Sequence, residues 1–129
     1  IIHPRKTQDL ILKYLNQSHF PYGGVMHAFA GSEQQAERLL EHGFKFGFGG
    51  AVTYETATRL RRVVTQLPLE SILLETDSPD MAPAFAQNQV NTPLNLIGIA
   101  EIVAELRQIS VADMVDASYL NTKALFGLT

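Results

Sequence analysis

The sequence contains no cysteine, no long apolar run and no strong excess of charge. The absence of cysteine excludes a disulfide framework and fits a reducing compartment. No apolar stretch approaches the roughly 20 residues of a membrane span, and the opening IIHPRKTQ lacks the pattern of a signal peptide. A formal net charge of −3 provides no general field for polyanions, so a nucleic-acid substrate would require a local site. We therefore expect a cytoplasmic protein without a membrane partner.

The composition is that of one folded domain. With 129 residues, of which 46% are hydrophobic, the chain has enough apolar material to build its own core. No low-complexity segment or interdomain linker interrupts it. We therefore expect residues 1–129 to form a single domain.

Apolar periodicity predicts strands that alternate with helices along the chain. The four predicted strands carry, in chain order, the sequences IIH, GGVMHAFAG, FKFGFGGAV and SILLETD. In the third strand, Phe44, Phe46 and Phe48 should share one face. Alternation of this kind is typical of an α/β fold with a parallel sheet, either doubly wound or closed into a barrel.

The predicted helices begin and end at local signals. The first helix is QDLILKYLNQ, and the second begins at Ser32, has Gln35 in the capping-box position and ends at Gly43. Three further helices are predicted, beginning at Tyr54, Pro93 and Ser110. The loop at 78–92 is the longest irregular stretch, and such loops are often functional.

Potential metal ligands occur where the predicted strands end. Parallel α/β proteins bind ligands at the carboxyl ends of their strands, and those ends carry His3, His27 and Asp77. A histidine at a strand end is more often a hydrogen-bonded structural residue, and an acid there often caps the next turn. From the pattern alone, a metal site and a structural role are equally supported.

The segment LLETDSPDMAP at 73–83 resembles the C-terminal signature of the TatD family of metal-dependent DNases, whose members are amidohydrolase-like TIM barrels. Four further segments resemble motifs of that family in the same order: IIHPR at 1–5, GVMHAFAGS at 24–32, NTP at 91–93 and NTKALFG at 121–127. The resemblance therefore covers nearly the whole chain.

The chain also departs from the family pattern. Pro4 and Ala30 stand where the family usually has serine, so two hydroxyl groups are absent. The His-x-His motif of the first strand and the bridging glutamate of the family are also missing. The resemblance thus implies the C-terminal half, strands five to eight, of an amidohydrolase-like TIM barrel. We expect this half to be a poor enzyme alone and to require the missing N-terminal half or self-association.

The resemblance implies a metal site at three residues. His3, His27 and Asp77 match positions that bind metal in the family, and Asp77 would also accept the proton of the attacking water. The cofactor would be divalent (Mg, Mn or Zn), with two ions in a complete active site. Glu75 lies two residues before Asp77, so strand alternation predicts that both face the same side, with Glu75 as a partner of the ligands.

The resemblance also implies a substrate, namely DNA or another phosphodiester hydrolysed by metal-activated water. Arg5 would contact a phosphate, and the turn at Gly31 and Ser32 would offer helix N-terminal amides to the same anion. One alternative is an amidohydrolase-like esterase or deacylase acting on a small or aminoacyl ester. Another is a non-catalytic half-barrel that binds an anion or a partner chain.

Overall fold

The computed structural model describes residues 1–129 and contains one parallel sheet of three strands in the order β1-β2-β3. The strands are β1 (Gly24–Met26), β2 (Phe44–Phe48) and β3 (Ile72–Leu74). The helices are α1 (Gln8–Ser18), α2 (Glu33–Glu41), α3 (Thr58–Gln66), α4 (Leu96–Arg107) and α5 (Val111–Phe126). Short 3-10 turns occur at Gly50–Thr53, Leu69–Ser71, Ala84–Ala86 and Pro93–Asn95. No helix has the length and apolarity needed to cross a membrane. The predicted parallel α/β arrangement is confirmed.

The middle strand, β2, lies at the centre of the hydrophobic core. It pairs in parallel with β1 on one side and with β3 on the other. Phe44, Phe46 and Phe48 are each at most 2% exposed, as the alternation of this strand predicts. Phe29 packs edge-to-face against Phe46, with ring centroids 4.8 Å apart. Burial of these rings supplies much of the apolar area that stabilises the sheet.

The predicted start of α2 is confirmed. Ser32 Oγ accepts a hydrogen bond from the Gln35 N–H at 3.2 Å, and Gln35 Oε1 accepts from the Ser32 N–H at 2.9 Å. Gly43 follows the helix with a φ of +75°, the left-handed conformation that glycine adopts without steric cost. These local signals fix where the chain enters β2.

The predicted first strand is reduced to a single parallel bridge between Ile2 and Met26. The Ile2 N–H donates to the Val25 carbonyl at 2.8 Å, and the His27 N–H donates to the Ile2 carbonyl at 2.9 Å. The ladder ends there because Pro4 has no N–H with which to extend it. The prediction of four strands is therefore wrong by one, although the bridge still places the start of the chain beside β1.

Two predicted helices begin later than expected. The residues before α3 form the 3-10 turn Gly50–Thr53, and the helix starts at Thr58 rather than Tyr54. Pro93 starts a 3-10 turn, and α4 follows from Leu96. The first of these turns is largely buried and so continues the apolar pattern, whereas Pro93 and Leu94 in the second are exposed.

Arg107, near the end of α4, ties that helix to the end of α3. Its guanidinium donates to the carbonyls of Val64 and Leu67 at 2.5 and 2.8 Å. Burial lowers the pKa of Arg107 from its ordinary value, and the negative charge of Glu70 partly offsets that effect. The contact satisfies carbonyls that the end of α3 would otherwise leave without a partner.

The outer edge of β3 is covered by α5. Ser118 Oγ accepts a hydrogen bond from the Leu74 N–H at 2.9 Å, and Asn121 Nδ2 donates to the Ile72 carbonyl at 2.8 Å. Both polar side chains are buried, at 8% and 7% exposure. An edge strand usually presents unpaired N–H and C=O groups, and α5 satisfies two of them here.

Candidate active site

His3 and His27 are neighbours at the carboxyl end of the sheet. The bridge at Ile2 aligns the two segments, and each histidine follows directly where the pairing ends. Their ring centroids are 4.9 Å apart, and the ring planes are tilted by 31°. His3 is exposed, whereas the His27 side chain is only 17% exposed.

The imidazole of His27 lies between two carboxylates. Its Nδ1 is 2.8 Å from Glu75 Oε1, and its Nε2 is 3.1 Å from Asp77 Oδ1. The Asp77 side chain is 33% exposed and the Glu75 side chain 20% exposed. The structure therefore brings together three of the residues that the sequence singled out.

Two carboxylate contacts on one ring have a chemical consequence. A neutral imidazole carries a single N–H, so it can donate to only one of these carboxylates. With the proton on Nδ1, at the shorter of the two contacts, the Nε2 lone pair faces the Asp77 oxygen. That second contact is favourable only with another proton on the ring or a cation shared between Nε2 and Oδ1. An arrangement of this kind is typical of metal-ligating histidines held by a carboxylate.

Glu75 is held in place from two directions. Its Oε1 also accepts a hydrogen bond from the Ala28 N–H at 2.7 Å. On the other side the carboxylate lies against Gly47, where an added Cβ would be 2.0 Å from Glu75 Oε2. Only glycine at that position of β2 leaves room for the carboxylate to reach His27.

The predicted reason for the proximity of Glu75 and Asp77 is wrong. Strand β3 ends at Leu74 and its last bond to β2 runs from the Glu75 N–H to the Phe48 carbonyl at 3.0 Å, so strand alternation does not reach Asp77. Asp77 has a φ of +54°, and this left-handed residue turns the chain around the imidazole. The two carboxylates therefore approach opposite nitrogen atoms of one ring rather than the same face of a strand.

The donors fit a divalent ion in their chemistry but form an incomplete set. Imidazole and carboxylate suit zinc, manganese and magnesium to different degrees. No group of three or more histidine, aspartate or glutamate side chains has an arrangement that could hold a metal ion. His3 Nε2 instead accepts a hydrogen bond from Arg5 Nε at 3.0 Å. His27 and Asp77 are thus in direct contact with His3 beside them, and their assignment together with His3 as metal ligands stays a prediction.

Asn91 is a residue of the site to which sequence reasoning gave no role. It is 2% exposed, and its Nδ2 donates to the Thr76 carbonyl at 2.7 Å and to the Asp80 carbonyl at 2.5 Å. Asn95 Nδ2 donates to Asn91 Oδ1 at 2.8 Å, which orients the amide. Asn91 therefore clamps the chain on both sides of Asp77. The sequence did mark this position, because Asn91 opens the NTP segment that resembles a motif of the family.

The chain after Asp77 is docked on the 3-10 turn Gly50–Thr53. The Tyr54 hydroxyl donates to the Ala82 carbonyl at 3.0 Å, and the Ala84 N–H donates to Thr53 Oγ1 at 2.8 Å. An added Cβ on Gly50 would be 2.1 Å from the Met81 carbonyl oxygen. These contacts form a rigid wall beside the candidate ligands.

A cleft of about 340 Å³ opens between the two histidines and this wall. Four of the residues that line it were predicted site residues: His3, Arg5, His27 and Asp77. The other four were not: Pro4, Ala28, Asp80 and Met81. The cleft therefore carries carboxylates as well as the guanidinium of Arg5.

The predicted anion contacts at Gly31 and Ser32 lie outside this group. Neither residue lines the cleft. The Ser32 N–H and hydroxyl both bond within the capping box. Their role in substrate binding stays a prediction.

The sequence model of the family described as TatD related DNase matches residues 1–127. The chain belongs to this family. It is 41% identical over 128 residues to the uncharacterized metal-dependent hydrolase YjjV of Escherichia coli K12, in an alignment that covers 99% of this chain and 49% of YjjV. It is 32% identical over 127 residues to the uncharacterized metal-dependent hydrolase YabD of Bacillus subtilis 168, in an alignment that covers 98% of this chain and 50% of YabD. The TatD resemblance is thus confirmed.

Solved structures place the chain among TatD folds. The crystal structure of the TatD homolog YjjV from Escherichia coli K12 matches with a TM-score of 0.90 and 40% identity, over 97% of this chain and 48% of that one. A TatD family hydrolase from Entamoeba histolytica matches in fold, with a TM-score of 0.82 and 24% identity, over 98% and 50%. The chain spans about half the length of the curated relatives that it matches.

Proposed function

We propose that this chain forms part of a TatD-type metal-dependent hydrolase that cleaves phosphodiester bonds in DNA. The observation that carries the proposal is the His27 imidazole held between Glu75 and Asp77 at the mouth of a cleft. The relatives of the chain are named metal-dependent hydrolases, and the family description names a DNase.

The residues of the candidate site would have different roles in metal binding and catalysis. Glu75 accepts the Nδ1 proton of His27 and thereby presents Nε2 to the cleft. His27, Asp77 and His3 would hold the ion, and Asp77 would accept the proton of the attacking water. When bound, a divalent ion supplies an electrophile for the phosphoryl oxygen and activates water.

Arg5 would position the substrate phosphate. Its Nε donates to His3, which leaves the terminal N–H groups of the exposed guanidinium free to face the cleft. A planar guanidinium can bind two phosphate oxygens at once. In this arrangement the phosphate lies beside the candidate metal ligands.

We also propose that the site works within an amidohydrolase-like TIM barrel, completed by a segment of comparable length or by self-association. Two observations support this: the chain spans about half the length of its relatives, and only His27 and Asp77 meet directly as ligands. Residues 1–129 alone should then show little activity and a tendency to associate. A stable monomer in sedimentation, as active as the full-length protein, would contradict this.

A second candidate is hydrolysis of a smaller ester. Asp80 adds a carboxylate to the cleft, and Arg5 is the only guanidinium or ammonium group among the lining residues. Such a cleft favours a substrate with fewer phosphates than a DNA duplex carries. The ion and its ligands would be the same in both cases.

The test uses the full-length protein with Mg²⁺, Mn²⁺ or Zn²⁺ and three substrates: single-stranded DNA, a nitrophenyl phosphodiester and a carboxylic ester. We expect metal-dependent cleavage of the two phosphodiesters, and a loss of more than about 100-fold in Asp77→Asn, since supporting residues already cost about 10–100-fold. Cleavage of the carboxylic ester alone would favour the second candidate. No metal-dependent turnover, or full activity in Asp77→Asn, would overturn the hydrolase assignment.

A further inference from the structure

Beside the cleft lies a second hollow, of about 510 Å³, to which no role has been assigned. Met81 lines both spaces and also a small cavity between them that reaches Asp77. The second hollow is therefore adjacent to the candidate active site, with Met81 and that small cavity between them. A group bound there would lie next to the bond that is cleaved.

The hollow is apolar and uncharged. It is lined by Tyr54, Met81 and three alanines, together with the polar side chains of Thr56 and Gln87. No side chain that lines it bears a formal charge. A phosphate would find no partner there, whereas a flat ring with polar edges would find apolar walls and two groups that can form hydrogen bonds.

Met81 is held in an unfavourable conformation that keeps it at this position. Its φ of +53° lies in the left-handed region, which non-glycine residues seldom occupy. The surrounding contacts enforce it: the Met81 carbonyl packs against Gly50, and the next carbonyl accepts the Tyr54 hydroxyl. Residues strained in this way are concentrated at binding sites.

The side chain of Met81 remains 42% exposed although its backbone is fixed. A thioether is polarizable and flexible, and it makes favourable contacts with the faces and edges of aromatic rings. Its location on the ridge between the cleft and the hollow would allow it to pack against a ring in the hollow while the attached phosphate lies in the cleft.

From this geometry we propose that the hollow behind Met81 is a subsite for a nucleobase attached to the scissile phosphodiester. The inference rests on the proposed phosphodiesterase function and adds to it a preference for base-bearing substrates. Met81 is a specificity-determining residue, Tyr54 positions the loop, and Thr56 and Gln87 contact the edge of the base. Because stacking is tolerant of base identity, the subsite accepts different bases.

The test compares four dinucleotides in the full-length, metal-loaded protein: the thymidine dinucleotide, the two that lack one base, and the one that lacks both. Only one of the two bases should occupy the subsite, so we expect removal of that base to lower kcat/KM about tenfold by raising KM. Met81→Ala should reduce the ratio of kcat/KM between the intact and the fully abasic dinucleotide by about five- to tenfold. Met81→Leu, which conserves volume, should keep most of the preference.

Val90→Ala is the matched control, because Val90 is an exposed apolar residue of the same loop region that does not line the hollow. Equal effects of Met81→Ala on all four substrates, or no effect on any, would overturn the subsite. Failure to cleave any of the four dinucleotides would instead contradict the proposed function. In that case, calorimetry that compares the affinity for thymidine 5′-phosphate with that for deoxyribose 5-phosphate still decides the subsite. The unmodified protein should bind the thymidine compound more tightly, and Met81→Ala should remove that difference. An unchanged difference in the variant, or no difference in the unmodified protein, overturns the subsite.

Discussion

The Asp77 loop, residues 76–84, is bonded to several other elements, whereas the amino-terminal arm, residues 1–6, is bonded mainly to β1 and to itself. Asn91, Thr53 and Tyr54 all form hydrogen bonds with the loop. The arm has two backbone hydrogen bonds at Ile2, and His3 pairs with a residue of the same arm. The two segments bring candidate ligands to one cleft by different means.

This difference separates a preorganised part of the site from an adaptable part. Asp77 and the ring of His27 are already positioned by contacts made on folding, so little reorganisation remains for binding. His3 is exposed, and Arg5 and Lys6 have positive φ values of 27° and 66°. Segments with few buried contacts open at low free-energy cost, so the arm should become ordered when a ligand or a neighbouring part of the protein binds it.

Among the residues that hold the candidate ligands in place, Glu75→Gln should have the largest effect. The amide keeps the size of the side chain but removes the charge that holds the Nδ1 proton of His27, so the ring loses its fixed orientation. We expect metal affinity and activity of the full-length protein to fall about 10–100-fold. Calorimetry with the metal alone measures the first and a phosphodiesterase assay the second. Glu70→Gln, at an exposed position, is the control, and equal behaviour of the two variants would contradict the assigned role.

Asn91→Ala should test whether the clamp holds Asp77. The carbonyls of Thr76 and Asp80 lose a buried donor, and an unmet buried acceptor costs about 1–3 kcal/mol of unfolding free energy. We expect a lower denaturant midpoint together with weaker metal binding, while Asn88→Ala, an exposed neighbour, changes neither. If stability falls but metal affinity stays the same, Asn91 supports the fold without positioning Asp77.

His3→Ala probes the adaptable arm. Because His3 is exposed and lies outside the pair formed by His27 and Asp77, its removal should weaken metal binding about tenfold, with no change in the unfolding midpoint. The comparison with Glu75→Gln is the informative one. A loss larger than that of Glu75→Gln would show that the arm, rather than the Asp77 loop, dominates the site.

The smallest effect is expected from Arg5→Ala. Loss of one phosphate contact should lower the slope of log affinity against log salt for single-stranded DNA by roughly one unit. Arg62→Ala is the matched control, since its side chain is 68% exposed and lies 3.9 Å from Glu33, away from the cleft. Identical salt slopes for the two variants would place the DNA on another face.

Features set by neighbouring residues were predictable from the sequence, and those set by folding were not. The capping box at Ser32 and the alternation of Phe44, Phe46 and Phe48 depend on residues a few positions apart, and both are confirmed. The first strand was overestimated because periodicity does not register the N–H that Pro4 lacks.

The same contrast between local signals and tertiary contacts separates the predictable from the unpredictable residues of the candidate site. Residue types and strand ends led to His27 and Asp77, and the structure places their side chains in contact. The bonds of Asn91 to Thr76 and Asp80 span 15 and 11 positions, and the room for Glu75 depends on Gly47 in another strand. Such relations depend on tertiary packing, so the NTP segment marks the position of Asn91 but not the carbonyls that it binds.

The polar bonds that α5 makes to β3 determine how this side of the molecule can meet another surface. An extended peptide that adds itself to a sheet needs free N–H and C=O groups along the edge. Here the Leu74 N–H and the Ile72 carbonyl are already bonded to Ser118 and Asn121. The edge is therefore a poor template for β-augmentation, and for the same reason a poor seed for fibrillar growth. The apolar groove of about 360 Å³ beside Leu74 can still take side chains, and a strand that completes the proposed barrel at this edge would have to replace both bonds made by α5.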